Sequence, residues 1–287
     1  MHVRRNGALA LIALIGFALA PSLIAQDSTR AASWELGLSA RAGVPTGWVQ
    51  VRENTVVGTR LPFGSALDVH AIYAGAVSAT LHPDGPTRIE MAITSFWLSG
   101  TSTPADSVHF NGTTLEAGAP LHTRTGFPHY LAITVTGTHD VAQFGGGAFG
   151  VTGGLSFVAL TFVLEGTLTP TSATRETQED FITQELPVPV LGAEYRLPLG
   201  ARWRLDARLT GGWLPWVNSL RKEGGTVSIT QTELQGVATF RYAASRAIDL
   251  TLEARASQFA QNEQSNEDGN QIAIRAVSLG AGAAWRF

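Results

Sequence analysis

Apolar and polar positions alternate with a period of two along most of the chain from Ser33 to Phe287, in stretches separated by turn residues. Strict alternation marks strands with one face in an apolar environment and one in a polar one. Arg202 to Leu214 shows it most cleanly, with Trp203, Leu205, Ala207, Leu209 and Trp213 facing Arg202, Arg204, Asp206, Arg208 and Thr210. Ser33 to Val44, Leu67 to Leu81, Arg88 to Ser99 and Tyr130 to Thr138 read the same way. So do Val188 to Leu197, Glu233 to Tyr242, Ala247 to Phe259 and Val277 to Phe287. Ala148 to Glu165 is apolar on both faces, and its register stays open. The count is ten strands.

The connections between these strands alternate in length. His82 to Pro86, Asp140 to Gly147, Pro198 to Gly200 and Ala243 to Arg246 are short turns rich in Gly, Pro or Ser. Gly100 to His129, Gly166 to Leu186 and Ala260 to Gln271 are long and polar. A β-sandwich has no reason to segregate its loops in this way. An all-β, antiparallel up-and-down barrel puts short turns at one end and long loops at the other. Twelve strands remain an alternative, because Val108 to Glu116 or Trp48 to Leu61 would supply one more hairpin. No linker or repeat divides the chain, so residues 26–287 read as one barrel.

Composition agrees with strands of two unlike faces. Mean hydropathy is +0.09, only 15% of residues are charged, and glycine is abundant at 31 residues. The chain has no cysteine, which excludes disulfides, thiolate metal sites and a Cys nucleophile. At the N-terminus, Arg4 and Arg5 precede an apolar run from Ala8 to Ala20 and small residues up to Ala25. This is the layout of a secretory signal peptide over residues 1–25, with cleavage after Ala25. The run is shorter than the ~20 residues that a membrane-spanning helix needs. Losing Arg4 and Arg5 from 20 basic residues leaves 18 against 23 acidic ones, a net charge of −5. That balance argues against a nucleic-acid partner.

The last eleven residues, VSLGAGAAWRF, put Val277, Leu279, Ala281, Ala283, Trp285 and Phe287 on one face. This pattern resembles the closing strand of bacterial outer-membrane β-barrels, which their assembly machinery reads. The alternating loop lengths resemble the short periplasmic turns and long external loops of such barrels. The resemblance implies residence in the outer membrane, contact with its lipid, and passage through periplasmic chaperones and the barrel-assembly machinery. Trp285 and Phe287 would then be the assembly signal. It also implies aromatic girdles, with Trp34, Trp203, Trp285 and Phe287 at the periplasmic rim and Trp97, Trp213 and Trp216 at the outer one.

Charges facing lipid cost ~2–4 kcal/mol each near the midplane, so the polar face must point into the barrel. That face carries Asp68, His70, Glu90, Glu194, Arg196, Arg202, Arg204, Asp206, Arg208, Arg241, Asp249, Glu253 and Arg255. Small barrels fill their interior with side chains, and mixed charges there pair as arginine–carboxylate networks. The reading is therefore a non-enzymatic barrel with a filled, charged lumen and external loops that bind an unnamed ligand or shield the surface. A narrow anion-preferring channel using Arg202, Arg204 and Arg208 is the alternative. A lipase, deacylase or protease at the external rim is another. Its candidates are Asp106, His109 and His122, His129, and Glu176, Glu179 and Asp180, where a His beside a carboxylate or Ser would act as base. No cofactor motif and no metal-ligand spacing is present.

Overall fold

The computed structural model describes residues 33–53, 55–125, 130–183, 187–218, 227–266 and 268–287, and among them are strands, turns and loops but no helix. The signal segment lies outside the described residues. Ten strands form the wall of a barrel: β1 (Trp34–Glu53), β2 (Ile72–Leu81), β3 (Thr87–Ser102), β4 (Tyr130–Phe144), β5 (Gly147–Thr167), β6 (Val188–Pro198), β7 (Trp203–Asn218), β8 (Ser228–Ala243), β9 (Ile248–Gln264) and β10 (Asp268–Arg286). Each pairs antiparallel with its neighbour in sequence. β1 and β10 close the ring, in register from Glu35–Arg286 to Glu53–Asp268. Closure gives every strand two partners and leaves no open sheet edge along the ring.

The ring has ten strands rather than twelve. Val108–Phe110 and Thr113–Leu115 pair only with each other, as a separate hairpin. Val56–Val57 and Leu61–Pro62 fold back onto β1. Short connections at 82–86, 145–146, 199–202 and 244–247 define one end of the barrel; the described parts of the longer connections, 55–71, 103–125 and 168–183, lie at the other, the last of them including a strand, Thr174–Thr183, that pairs with β5. The long loop expected at Ala260 to Gln271 is instead strand, because β9 and β10 run on to Gln264 and from Asp268.

Most strands are also longer than their alternation indicates: β1 has 20 residues, β5 has 21 and β10 has 19. The reason lies in their polarity, which inverts part-way along. Near the short turns, Leu36, Val44, Leu209, Leu252 and Val277 are exposed on the outer face, while Glu35, Glu194 and Asp249 are buried inside. Toward the long loops, Val49 and Val51 of β1, Leu160 and Phe162 of β5 and Ile272 of β10 are buried inside. Their outward neighbours there are Gln50 and Arg52, Thr161 and Gln271. Residues 55–71 and 103–125 complete this apolar interior. Phe63 and Phe110 lie 6.2 and 6.5 Å from Phe162, centroid to centroid, and Leu61, Leu67 and Leu115 are fully buried beside them. Above the start of β4 the wall is continued by Leu121–Thr125, which pairs with both β3 and β5. Burial of apolar area is the dominant stabilising term here as in a soluble core.

Candidate functional site

The lumen half nearer the short turns holds most of the charge. Arg208 on β7 donates to Glu194 on the adjacent β6 at 2.8 Å and to Glu90 on β3 at 3.0 and 3.1 Å. Arg88 on β3 donates to Glu194 at 3.0 Å and to Asp140 on β4 at 2.9 Å. Arg196 on β6 reaches Asp140 at 2.5 Å. On the other side, Arg241 on β8 donates to Glu35 on β1 at 2.8 Å and lies 2.9 Å from Asp206 on β7, which also pairs with Arg204. Arg286 on β10 donates to Asp249 on β9 at 2.6 Å and to Glu35 at 3.2 Å. Asp84, in the β2–β3 turn, sits 3.5 Å from both Arg204 and Arg286. β3 and β7 are four places apart in the ring, and β1 and β8 are three apart. Ion pairs between such strands cross the bore, so the layer spans the lumen. Buried charges are tolerated only when paired and hydrogen-bonded, and the guanidinium fork suits two carboxylates at once.

Three of the residues read as inward-facing stand elsewhere. Asp68 and His70 lie in the segment before β2, where their side chains are 57% and 72% exposed, and their side chains bond to each other at 2.8 Å. Asp68 has a φ of 53°, so the backbone turns there and the strand starts later, at Ile72. Arg202 is in the β6–β7 turn, exposed, with its guanidinium 3.5 Å from the Tyr242 hydroxyl. Conversely, Glu35, Arg88, Asp140 and Arg286 are central to the ion-pair layer and were not singled out from the sequence. Alternation carries the signal for Glu35, Arg88 and Arg286. Asp140 was hidden because β4 continues past Thr138 through a bulge at Val141, where the sequence suggests a turn.

Between this layer and the apolar interior lies a cavity of about 350 Å³. Arg255 donates to Glu253 at 2.8 and 3.2 Å, and Arg41 approaches Glu253 from β1 at 3.9 Å. Arg41 and Glu253 are both register partners of Gly280, which stands between them. A Cβ at Gly280 would lie 2.7 Å from the Arg41 Cβ, so glycine is what lets the two meet across β10. Tyr130 and Phe96 form the aromatic part of the wall. Glu233 accepts from the Gln231 amide at 2.5 Å and from the Ser156 hydroxyl at 3.4 Å.

At the long-loop end the candidate bases are dispersed. His109 is 2.9 Å from the Thr114 hydroxyl within its own hairpin, and His122 is 3.0 Å from that of Thr101. Glu176 pairs with Arg124, and Asp106 is exposed. His129 and the side chains of Glu179 and Asp180 lie outside the described residues. No cluster of three or more metal-ligating side chains occurs among the described residues.

Aromatic residues gather at both ends. Near the short turns, Trp203 stacks on Phe240 at 4.8 Å, and Phe144 on Tyr195 at 5.0 Å. Trp34 is exposed at the same end, and Trp213 and Trp216 are exposed on β7 toward the other.

No protein-family model and no curated protein matches the chain. Solved structures do. The chain is similar to the outer membrane protease OmpT from Escherichia coli, at 13% identity and a TM-score of 0.46, covering 91% of this chain and 100% of that one. It is similar to the translocator domain of the autotransporter NalP from Neisseria meningitidis, at 14% identity, 97% of each chain and a TM-score of 0.39. A third is the COG4313 outer membrane channel from Pseudomonas putida F1, at 11% identity and a TM-score of 0.37, covering 92% of this chain and 100% of that one.

Proposed function

We propose that this chain is an integral β-barrel of a bacterial outer membrane whose lumen is sealed, and that it acts by binding at the half carrying the long loops. The observation that carries the reading is the set of ion pairs between strands that are not neighbours, Arg208–Glu90 and Arg241–Glu35 above all. A conducting lumen needs a continuous water path, and these pairs lie across it. The membrane placement is supported by the outward apolar band, in which Leu191 and Leu279 are 73% and 71% exposed. A soluble protein would leave that band facing water, far beyond the usual size of an exposed patch.

Conductance of the refolded chain in planar bilayers tests the sealed lumen, with an Arg204→Ala, Arg208→Ala double variant alongside. A barrel folded by heat-modifiable gel mobility is expected to be silent. A steady, anion-selective current weakened in the variant would overturn the reading and establish a conduit.

Biogenesis follows from the same proposal. Residues 1–25 direct export, periplasmic chaperones carry the chain, and Trp285 and Phe287 are read by the assembly machinery. Removing Phe287 is then expected to lower the membrane-inserted amount several-fold while in vitro refolding proceeds; equal insertion would remove that role.

One geometry favours a second reading, a hydrolase at the rim. The Asp68 carboxylate, 2.8 Å from His70 Nε2, would orient an exposed imidazole with its other ring nitrogen free to act as a general base. Ester or peptide hydrolysis abolished by His70→Ala would establish it.

A further inference from the structure

The cavity in mid-barrel contains two charges that the protein itself leaves incompletely matched. Five of its lining carboxylates, Glu35, Glu90, Glu194, Asp206 and Glu253, are ion-paired with arginines. The sixth, Glu233, has no ion pair among the described residues and is held only by Gln231 and Ser156. Opposite in sign, Arg41 has only 10% of its side chain exposed, yet its Nη1 makes no hydrogen bond among the described residues. It shares the single carboxylate of Glu253 with Arg255, two guanidinium groups to one anion. Among the described residues Arg41 makes no ion pair with Glu233, so the two charges stand apart, and Tyr130 lines the same cavity.

Leaving a buried donor unmatched is costly, and a cavity with one cationic and one anionic pole is complementary to a molecule of the reverse polarity. We infer that this cavity binds a compact zwitterion, its carboxylate on Arg41 and Arg255 and its ammonium on Glu233, with several bonds between the two ends. Such molecules include ω-amino acids and short peptides. The volume of about 350 Å³ is that of a small-ligand pocket. Ile72, Phe96 and Ile274 on the side toward the long loops pack against the methylene or side-chain body of the ligand. The ionic layer closes the other side and the apolar interior under the loops covers this one, so entry requires the loops 55–71 and 103–125 to open. The inference adds a ligand class to the sealed barrel and rests on that reading only for the direction of entry.

Calorimetric titration of the refolded residues 26–287 in detergent tests it, with ε-aminocaproate as the probe and caproate and hexylamine as its one-charge analogues. The zwitterion is expected to bind saturably and about tenfold or more tightly than either analogue. Glu233→Gln should erase its advantage over caproate and leave caproate binding intact. Arg41→Gln should erase its advantage over hexylamine, with Arg41→Lys restoring part of it. Ala92→Phe, which fills the cavity without touching a charge, should abolish binding of all three. Equal binding of the three probes, or no saturable binding by a barrel shown to be folded, would overturn the inference. So would variants that shift every probe alike. Conductance fails or succeeds separately: a steady current would overturn the sealed lumen while leaving this titration readable.

Discussion

Glu194 shows how much a single side chain does in this lumen. With 5% of its side chain exposed, it accepts from Arg88 and Arg208 and lies 3.8 Å from Arg196. Removing one member of a buried ion pair costs about 3–5 kcal/mol, because the partner charge stays buried. Glu194→Ala is expected to lose about that much in urea unfolding in lipid or detergent, whereas exposed Asp68→Ala should stay within about 0.5 kcal/mol. A loss below 1 kcal/mol at Glu194, on the order of an exposed pair, would show that the layer relaxes around its gaps. At this scale the sequence was partly legible. Alternation put Glu90, Glu194, Asp206, Arg208 and Arg241 inside, as the structure places them, because the face of a strand follows from parity. It misplaced Asp68 and His70, since parity says nothing about where a strand starts. Their ring partners were illegible as well, because Arg208 and Glu90 are 118 residues apart.

Strands and loops carry the second lesson. The outward-apolar pattern that revealed the ten strands stops where the polarity inverts, and in β1 a reader following it halts at Val44 although pairing continues to Glu53. Beyond that level β1 and β5 behave as strands of a soluble β-protein, apolar inside and polar outside, while β8, β9 and β10 keep Gln231, Gln261 and Asn270 buried. The Gln and Asn residues of β9 and β10, such as Gln261, Asn262 and Gln271, resemble loop composition but extend a regular ladder. The two halves should therefore fail separately. Phe63→Ala, in the loop 55–71, removes a fully buried ring against Phe162 and should cost about 3–5 kcal/mol. Limited proteolysis is expected to cut that loop in the variant and spare it in the parent chain. Conductance should stay silent in both, because the ionic layer is untouched. A current in Phe63→Ala would place the seal in the apolar half instead.

The barrel is a cylinder with two environments stacked along its axis, and its outer surface predicts where a bilayer would sit on the proposed membrane reading. Leu209→Arg, on the outward face of β7, should cost about 2–4 kcal/mol in a lipid-based folding equilibrium if it lies near the midplane. Lys or Arg at Gln50, beyond the inversion, should be tolerated; equal penalties at both sites would contradict the placement. The bonds across the bore also have a mechanical consequence. A ring of ten hydrogen-bonded staves resists stretching, but nothing in its pairing stops it from flattening into an ellipse. Arg208–Glu90, Arg241–Glu35 and Arg286–Asp84 brace it along different chords, like spokes, so lateral pressure, such as a bilayer would exert on the proposed membrane barrel, meets a rigid cross-section at that level. At the level of the cavity the tie across the bore among the described residues is only the Ser156–Glu233 bond of 3.4 Å, and there the cylinder can breathe.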